Sequence, residues 1–126
     1  MKSIGFVAKA IFFVLLPAGA LLKAADAPTL TVKGYVLDSA CAFTKGLSKP
    51  IGKQCAISCA KAGSPLVILA NDGTIYWPIA DTTPSSGQNS KLLRFAGDKV
   101  TATGKIYERG GSKAIVIEKI APQEIT

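Results

Sequence analysis

The sequence predicts a mainly β chain: a small five-stranded antiparallel barrel with one short cysteine-bearing helix after strand one. Three observations predict it. Two stretches alternate apolar and polar residues around a central glycine, Val32-x-Gly34-x-Val36 and Ala102-x-Gly104-x-Ile106. A glycine in mid-strand marks a sharp bend or the close approach of a neighbour, and two of them suit a closed barrel. Asn71-Asp72-Gly73 stands between two apolar runs as a strong hairpin turn.

The elements follow in order. Leu30 to Leu37 alternates at strand period. A loop with Cys41, Phe43 and Gly46 comes next. Pro50 opens a helix, with Ser48 or Lys49 as its cap, and Gln54 to Ala62 continues it until Gly63 and Pro65. Leu66 to Ala70 is a continuous apolar run of strand length, and Thr74 to Ala80 returns from the turn with Ile75 and Trp77 on one face. Asp81 to Ser90 is polar and turn-rich, and Lys91 to Ala96 makes one helical turn capped by Ser90. Val100 to Tyr107 and Ala114 to Ile120 are the last two strands, joined at Gly110-Gly111. The order strand, helix, hairpin, hairpin makes the barrel OB-like rather than a sandwich. Barrels of that kind place a helix between strands three and four, whereas here the better helix follows strand one.

The N-terminus carries an address. Lys2 and Lys9 precede an uncharged run from Ala10 to Leu22, which Pro17 and Gly19 interrupt. That run is shorter than the roughly 20 apolar residues of a spanning helix. Residues 1–25 therefore read as a cleavable secretory leader, cut after Ala20 (Ala18-Gly19-Ala20) or after Ala24 or Ala25. Residues 26–126 form a single domain, periplasmic or secreted, with no integral membrane segment once the leader is gone. From Ala27 onwards the chain holds 12 basic and 7 acidic residues. An exported protein rarely meets nucleic acid, so a nucleic-acid partner is not expected. Lys45, Lys49, Lys53 and Lys61 fall in a stretch without an acid and read as a solvated face before an anion-binding one.

Composition excludes several chemistries. The chain has no His, and its one Met is Met1. Ser-His-Asp and Cys-His catalysis, His-ligated zinc and haem, and copper sites built on His or Met are therefore out. What remains is Cys41, Cys55 and Cys59, spaced C-x13-C-x3-C. Cys55 and Cys59 share a helix face with Ala62, so the cysteines should point inward and Lys53, Ile57 and Lys61 outward. Three readings stand. The first is a structural disulfide with one spare thiol, as an oxidising compartment favours. A regular helix holds Cys55 and Cys59 too far apart for a bond, so Cys41–Cys59 is the expected pair and Cys55 the free thiol. Such a bridge closes a loop of just under 20 residues, worth about 3 kcal/mol. The second is a thiolate site for Cu(I) or Zn(II) on Cys41, Cys55 and Cys59, with Asp38 as an oxygen ligand or an orienting group. The third is a thiol relay, for which C-x3-C is not the usual motif. Tyr35, Tyr76, Trp77 and Tyr107 are the candidate ligand face.

Gly34-Tyr35-Val36-Leu37-Asp38-Ser39-Ala40-Cys41, then Cys55-Ala56-Ile57-Ser58-Cys59-Ala60-Lys61-Ala62-Gly63-Ser64-Pro65, then Asp72-Gly73-Thr74-Ile75-Tyr76 resembles a group of small exported bacterial proteins of uncharacterised function. Their pattern is G-x-V-x-D-x-x-C, C-A-x-x-C-x-x-x-G-x-P and D-G-x-x-Y. Members of the group often carry a His before the first helix cysteine, where this chain has Gly52-Lys53-Gln54. The resemblance implies export and treats Asp38, Cys41, Cys55 and Cys59 as one site; it implies no activity. A binding or structural module of the cell envelope is expected before an enzyme, because no thiol has a His partner. The partner is an envelope component or a small ligand, and no cofactor is expected unless the cysteines take Cu(I) or Zn(II).

Overall fold

The computed structural model describes residues 27–47 and 52–124. The expected leader, and the helix start expected at Ser48, Lys49 and Pro50, lie outside them. Five strands close a barrel: β1 (Thr29–Asp38), β2 (Leu66–Ala70), β3 (Ile75–Pro78), β4 (Lys99–Arg109) and β5 (Ser112–Pro122). Around the wall the order is β1-β2-β3-β5-β4, and β4 returns to β1.

The expected antiparallel sheet is corrected at one seam. β3 and β5 run parallel, with Tyr76 opposite Lys113 and Pro78 opposite Ile115, while the other pairs are antiparallel. The reason is topological. Strand directions cannot alternate all the way around a closed ring of five.

Period-two alternation decides what fills the barrel. Val32, Val36, Ile68, Val100, Ala102, Ile106 and Ile115 belong to one buried cluster. On the other side of the wall, Leu37, Val67 and Leu69 form a second cluster with Ala42. β2 contributes to both clusters, so all five of its residues are buried and its sequence is continuously apolar. Gly34 and Gly104 sit where strands press together. A Cβ at Gly34 would enter the Leu69 carbonyl, and one at Gly104 the Val116 carbonyl. At Gly104 the β4–β5 register also shifts. The two glycines are close-approach points with ordinary backbone angles, since neither has a positive φ.

Two cysteine-bearing helices follow β1, where one was expected. α1 (Ser39–Thr44) starts directly at the strand end, because the Asp38 side chain caps it. It replaces the expected loop around Cys41 and Phe43. α2 (Lys53–Lys61) has Gly52 at its N-cap, and Ala56 and Ala60 face the core with Ile57 packed beside them. A short third helix, α3 (Asn89–Leu92), leads through the 3-10 turn Leu93–Phe95 into β4, and Leu92 and Phe95 join the barrel core. Its cap position is Gln88, not Ser90. No described helix is long and apolar enough to cross a membrane.

Candidate functional site

The end of β1 organises the cysteines. Asp38 pairs with Leu66 at the start of β2, and Ser39 N donates to Pro65 O at 2.9 Å. Both ends of the helical excursion therefore meet at one point. Asp38 is 4% exposed. Its Oδ1 accepts from Cys41 N at 2.8 Å, and its Oδ2 accepts from the Ser64 hydroxyl. Burial pushes this carboxyl up. Hydrogen bonds from Ser64, from Cys41 through both its N–H and its thiol, and from the Ala40 N–H outweigh burial and hold it below the usual aspartate value. A carboxylate so occupied positions Cys41 and has little freedom to bind anything else.

Cys41 lies beside it, and Cys55 and Cys59 lie on α2. Cys41 and Cys59 are half-buried and Cys55 is exposed. Cys55 and Cys59 lie one helical turn apart on α2. Burial raises the Cys41 thiol, and its hydrogen bond to Asp38 raises it further, against the pull of Lys45. Partial burial and the bond to Cys55 raise Cys59. Neither is an activated nucleophile.

Two expectations about these residues change. The cysteine face of α2 does not point inward; Ala56 and Ala60 do, and Ile57, expected outside, packs against the core. Alanine and cysteine are both small and apolar, so helical period alone does not choose between two adjacent faces. Cys55, expected to be the spare thiol, is the exposed one of the three. Among the described residues no two cysteines are at disulfide distance, and no group of three Cys, Asp or Glu is arranged to hold a metal ion. Of the four lysines, Lys45 and Lys61 are exposed, and Lys53 bonds Asp98 at 2.7 Å. Lys49 lies outside the described residues.

The four aromatics do not share one face. Tyr35 and Trp77 pack on the outer cluster, whereas Tyr76 packs on the barrel core. Tyr76 and Trp77 are adjacent on one strand, so they must point to opposite sides. Tyr107 is exposed, and its hydroxyl donates to Asp81 Oδ1 at 3.2 Å. The aromatic that joins Trp77 is Phe43 of α1, which sequence reasoning placed in a loop and passed over. Their ring centroids are 6.2 Å apart, and Phe43 is 65% exposed. The available signal was Asp38 as a helix cap, which turns Phe43 outward beside buried Ala42.

Phe43 and Trp77 line an open groove of about 410 Å³. Thr74, Ile75, Ser112 and Lys113 also line it, the last two from the β4–β5 turn. The groove thus joins α1, the β2–β3 turn and the β4–β5 turn. It combines two aromatic faces, hydroxyl groups and one ammonium. No family model matches the chain, and no curated protein or solved structure is significantly similar to it.

Proposed function

We propose that the chain is an exported OB-like barrel of the cell envelope that binds a glycan in the Phe43–Trp77 groove. The strand order, the parallel β3–β5 seam and the short helix between β3 and β4 support the OB-like label. OB barrels bind oligonucleotides and oligosaccharides on the face of strands two and three, between the loop after strand one and the loop after strand four. The lining of the groove from α1, β3 and the β4–β5 turn supports such a use. The basic, apolar and small-residue order of residues 1–25 supports export, and export favours a sugar chain over a nucleic acid.

The observation that carries the reading is an exposed Phe43 paired with the half-buried Trp77 in a groove also lined by Thr74, Ser112 and Lys113. A sugar ring presents an apolar face to stack on Trp77 and hydroxyls for Thr74, Ser112 and Lys113. Trp77 is the one tryptophan of the chain, so its emission reports the groove alone. Titration with soluble cello-, chito- and muramyl oligosaccharides should give a saturable change in that emission for one of them. Phe43→Ala should weaken binding about tenfold, the worth of one aromatic contact of about 1.4 kcal/mol. Emission unmoved by every glycan, or equal binding by Phe43→Ala, would refute the reading.

A further inference from the structure

β5 is paired along one edge and only at the start of the other. β4 pairs with it from Ser112 to Pro122, whereas β3 reaches only Lys113, Ala114 and Ile115. Just past the end of β3, Ile79 N donates to Ile115 O at 2.9 Å. Among the described residues no strand pairs with the outer edge of β5 from Val116 onwards.

A groove of about 420 Å³ runs there. Residues 117–120 line it from β5, and Lys91, Arg94 and Phe95 line it from α3 and the 3-10 turn. Ile117 and Ile120 pack against the barrel core, while Glu118 and Lys119 are exposed. The shift of β4–β5 register makes Glu118 an extra residue, and so lets both isoleucines reach the core. Side chains from both faces of a strand line one groove only at the strand's edge. β4 holds the other edge, so this groove follows the unpaired one.

The groove is also basic. Lys91, Arg94 and Lys119 are exposed, and among the described residues none of them makes an ion pair. The Arg94 guanidinium lies 4.5 Å from the centroid of the Phe95 ring. Glu118 is the one carboxylate of the lining. An unpaired edge offers its N–H and C=O groups to another chain, and strand addition uses them for affinity. A second copy is the wrong occupant. It would bring the same three cations against these three, and a lysine on an edge strand guards against self-pairing. We infer that the β5 edge at residues 117–120 takes an acidic, extended peptide of a partner protein as an added strand. Its backbone pairs with β5, its apolar side chains lie on the side of Ile117 and Ile120, and its carboxylates meet Lys91, Arg94 and Lys119.

The inference is independent of the glycan reading, because the two grooves share no lining residue. The full chain is titrated with a fluorescein-labelled octapeptide of alternating valine and glutamate, followed by anisotropy. Saturable binding is expected, weakening as salt rises. Two further peptides are N-methylated, one at its valines and one at its glutamates, which blocks one backbone edge in each. At least one of them should bind about tenfold more weakly, since strand addition depends on main-chain hydrogen bonds. Lys119→Glu should lower affinity at least about tenfold by setting like charges together. Lys119 is exposed, so this variant keeps its fold, which far-UV circular dichroism checks. Phe43→Ala should leave the titration unchanged. No binding of the alternating peptide overturns the inference, as does full affinity in Lys119→Glu. Full binding by both N-methylated peptides, or equally tight binding of inorganic polyphosphate, overturns it in favour of a surface for anions in general. A dimer of the chain that the peptide dissociates overturns it in favour of a second copy.

Discussion

The barrel wall and the helical excursion between β1 and β2 are held by different means. In the wall, Val36, Ile68, Val100 and Ile115 are fully buried. Each such side chain contributes about 1.5–3 kcal/mol by burial. The excursion faces inward mainly with Ala42, Ala56 and Ala60, which bury little area each. Polar contacts attach it instead. Asp38 binds Ser64, Asn89 accepts from Leu66 N at 2.8 Å and donates to Ser64 O at 2.7 Å, and Lys53 reaches Asp98. All three cysteines and Phe43 belong to this second region. The helices ride on a few bonds, and the wall is the scaffold beneath them.

The comparison makes the wall the place of largest loss. Gly104→Ala drives a methyl group into the Val116 carbonyl, and neither backbone can move far inside a closed ring. A loss of about 3 kcal/mol is expected, at the upper end of overpacking costs. Gly34→Ala should behave alike against the Leu69 carbonyl. Urea denaturation measures both, and a loss under about 1 kcal/mol in either would mean that the wall yields.

A middling effect is expected where the excursion is tied down. Asp38→Ala removes the α1 cap and leaves the Ser64 hydroxyl and the Cys41 N–H without their acceptor. About 2 kcal/mol should go. The same carboxylate links stability to pH. Its folded value lies below its unfolded value of about 3.9. Its contribution is therefore complete above that unfolded value and is lost as pH falls through the lower folded one. In acid titrations followed by circular dichroism, the Asp38→Ala chain should lack this part of the loss; an identical acid profile would place the sensitivity elsewhere.

The smallest effect is expected at the surface. Lys53 and Asp98 are 48% and 41% exposed, so their ion pair is screened by water. Lys53→Ala should cost no more than about 0.5 kcal/mol, and the difference should vanish in molar salt. A salt-resistant loss above 1 kcal/mol would show that the Lys53 contacts anchor α2 more firmly than the exposure implies.

Local pattern determined much of the wall. Alternation around Gly34 and Gly104, the unbroken apolar run of β2 and the Asn71-Asp72-Gly73 turn are each consequences of neighbours within a few residues. In the turn, Gly73 N donates to Ala70 O and Thr74 N to Asp72 Oδ1. The mid-strand glycines are legible because a strand otherwise selects against them. The opposite faces of Tyr76 and Trp77 were also legible, since side chains alternate along any strand. Tertiary structure decided the rest. The parallel β3–β5 seam follows from closing an odd number of strands, which no single strand encodes. Which side of α2 turned inward depended on what the barrel offered it, because Ala and Cys are too alike in size and polarity for the helix to choose alone. The setting of Cys41 depended on Asp38, Ser64 and Leu66 bringing both ends of the excursion to one point. Residues far apart in sequence meet there only once the barrel wall has formed.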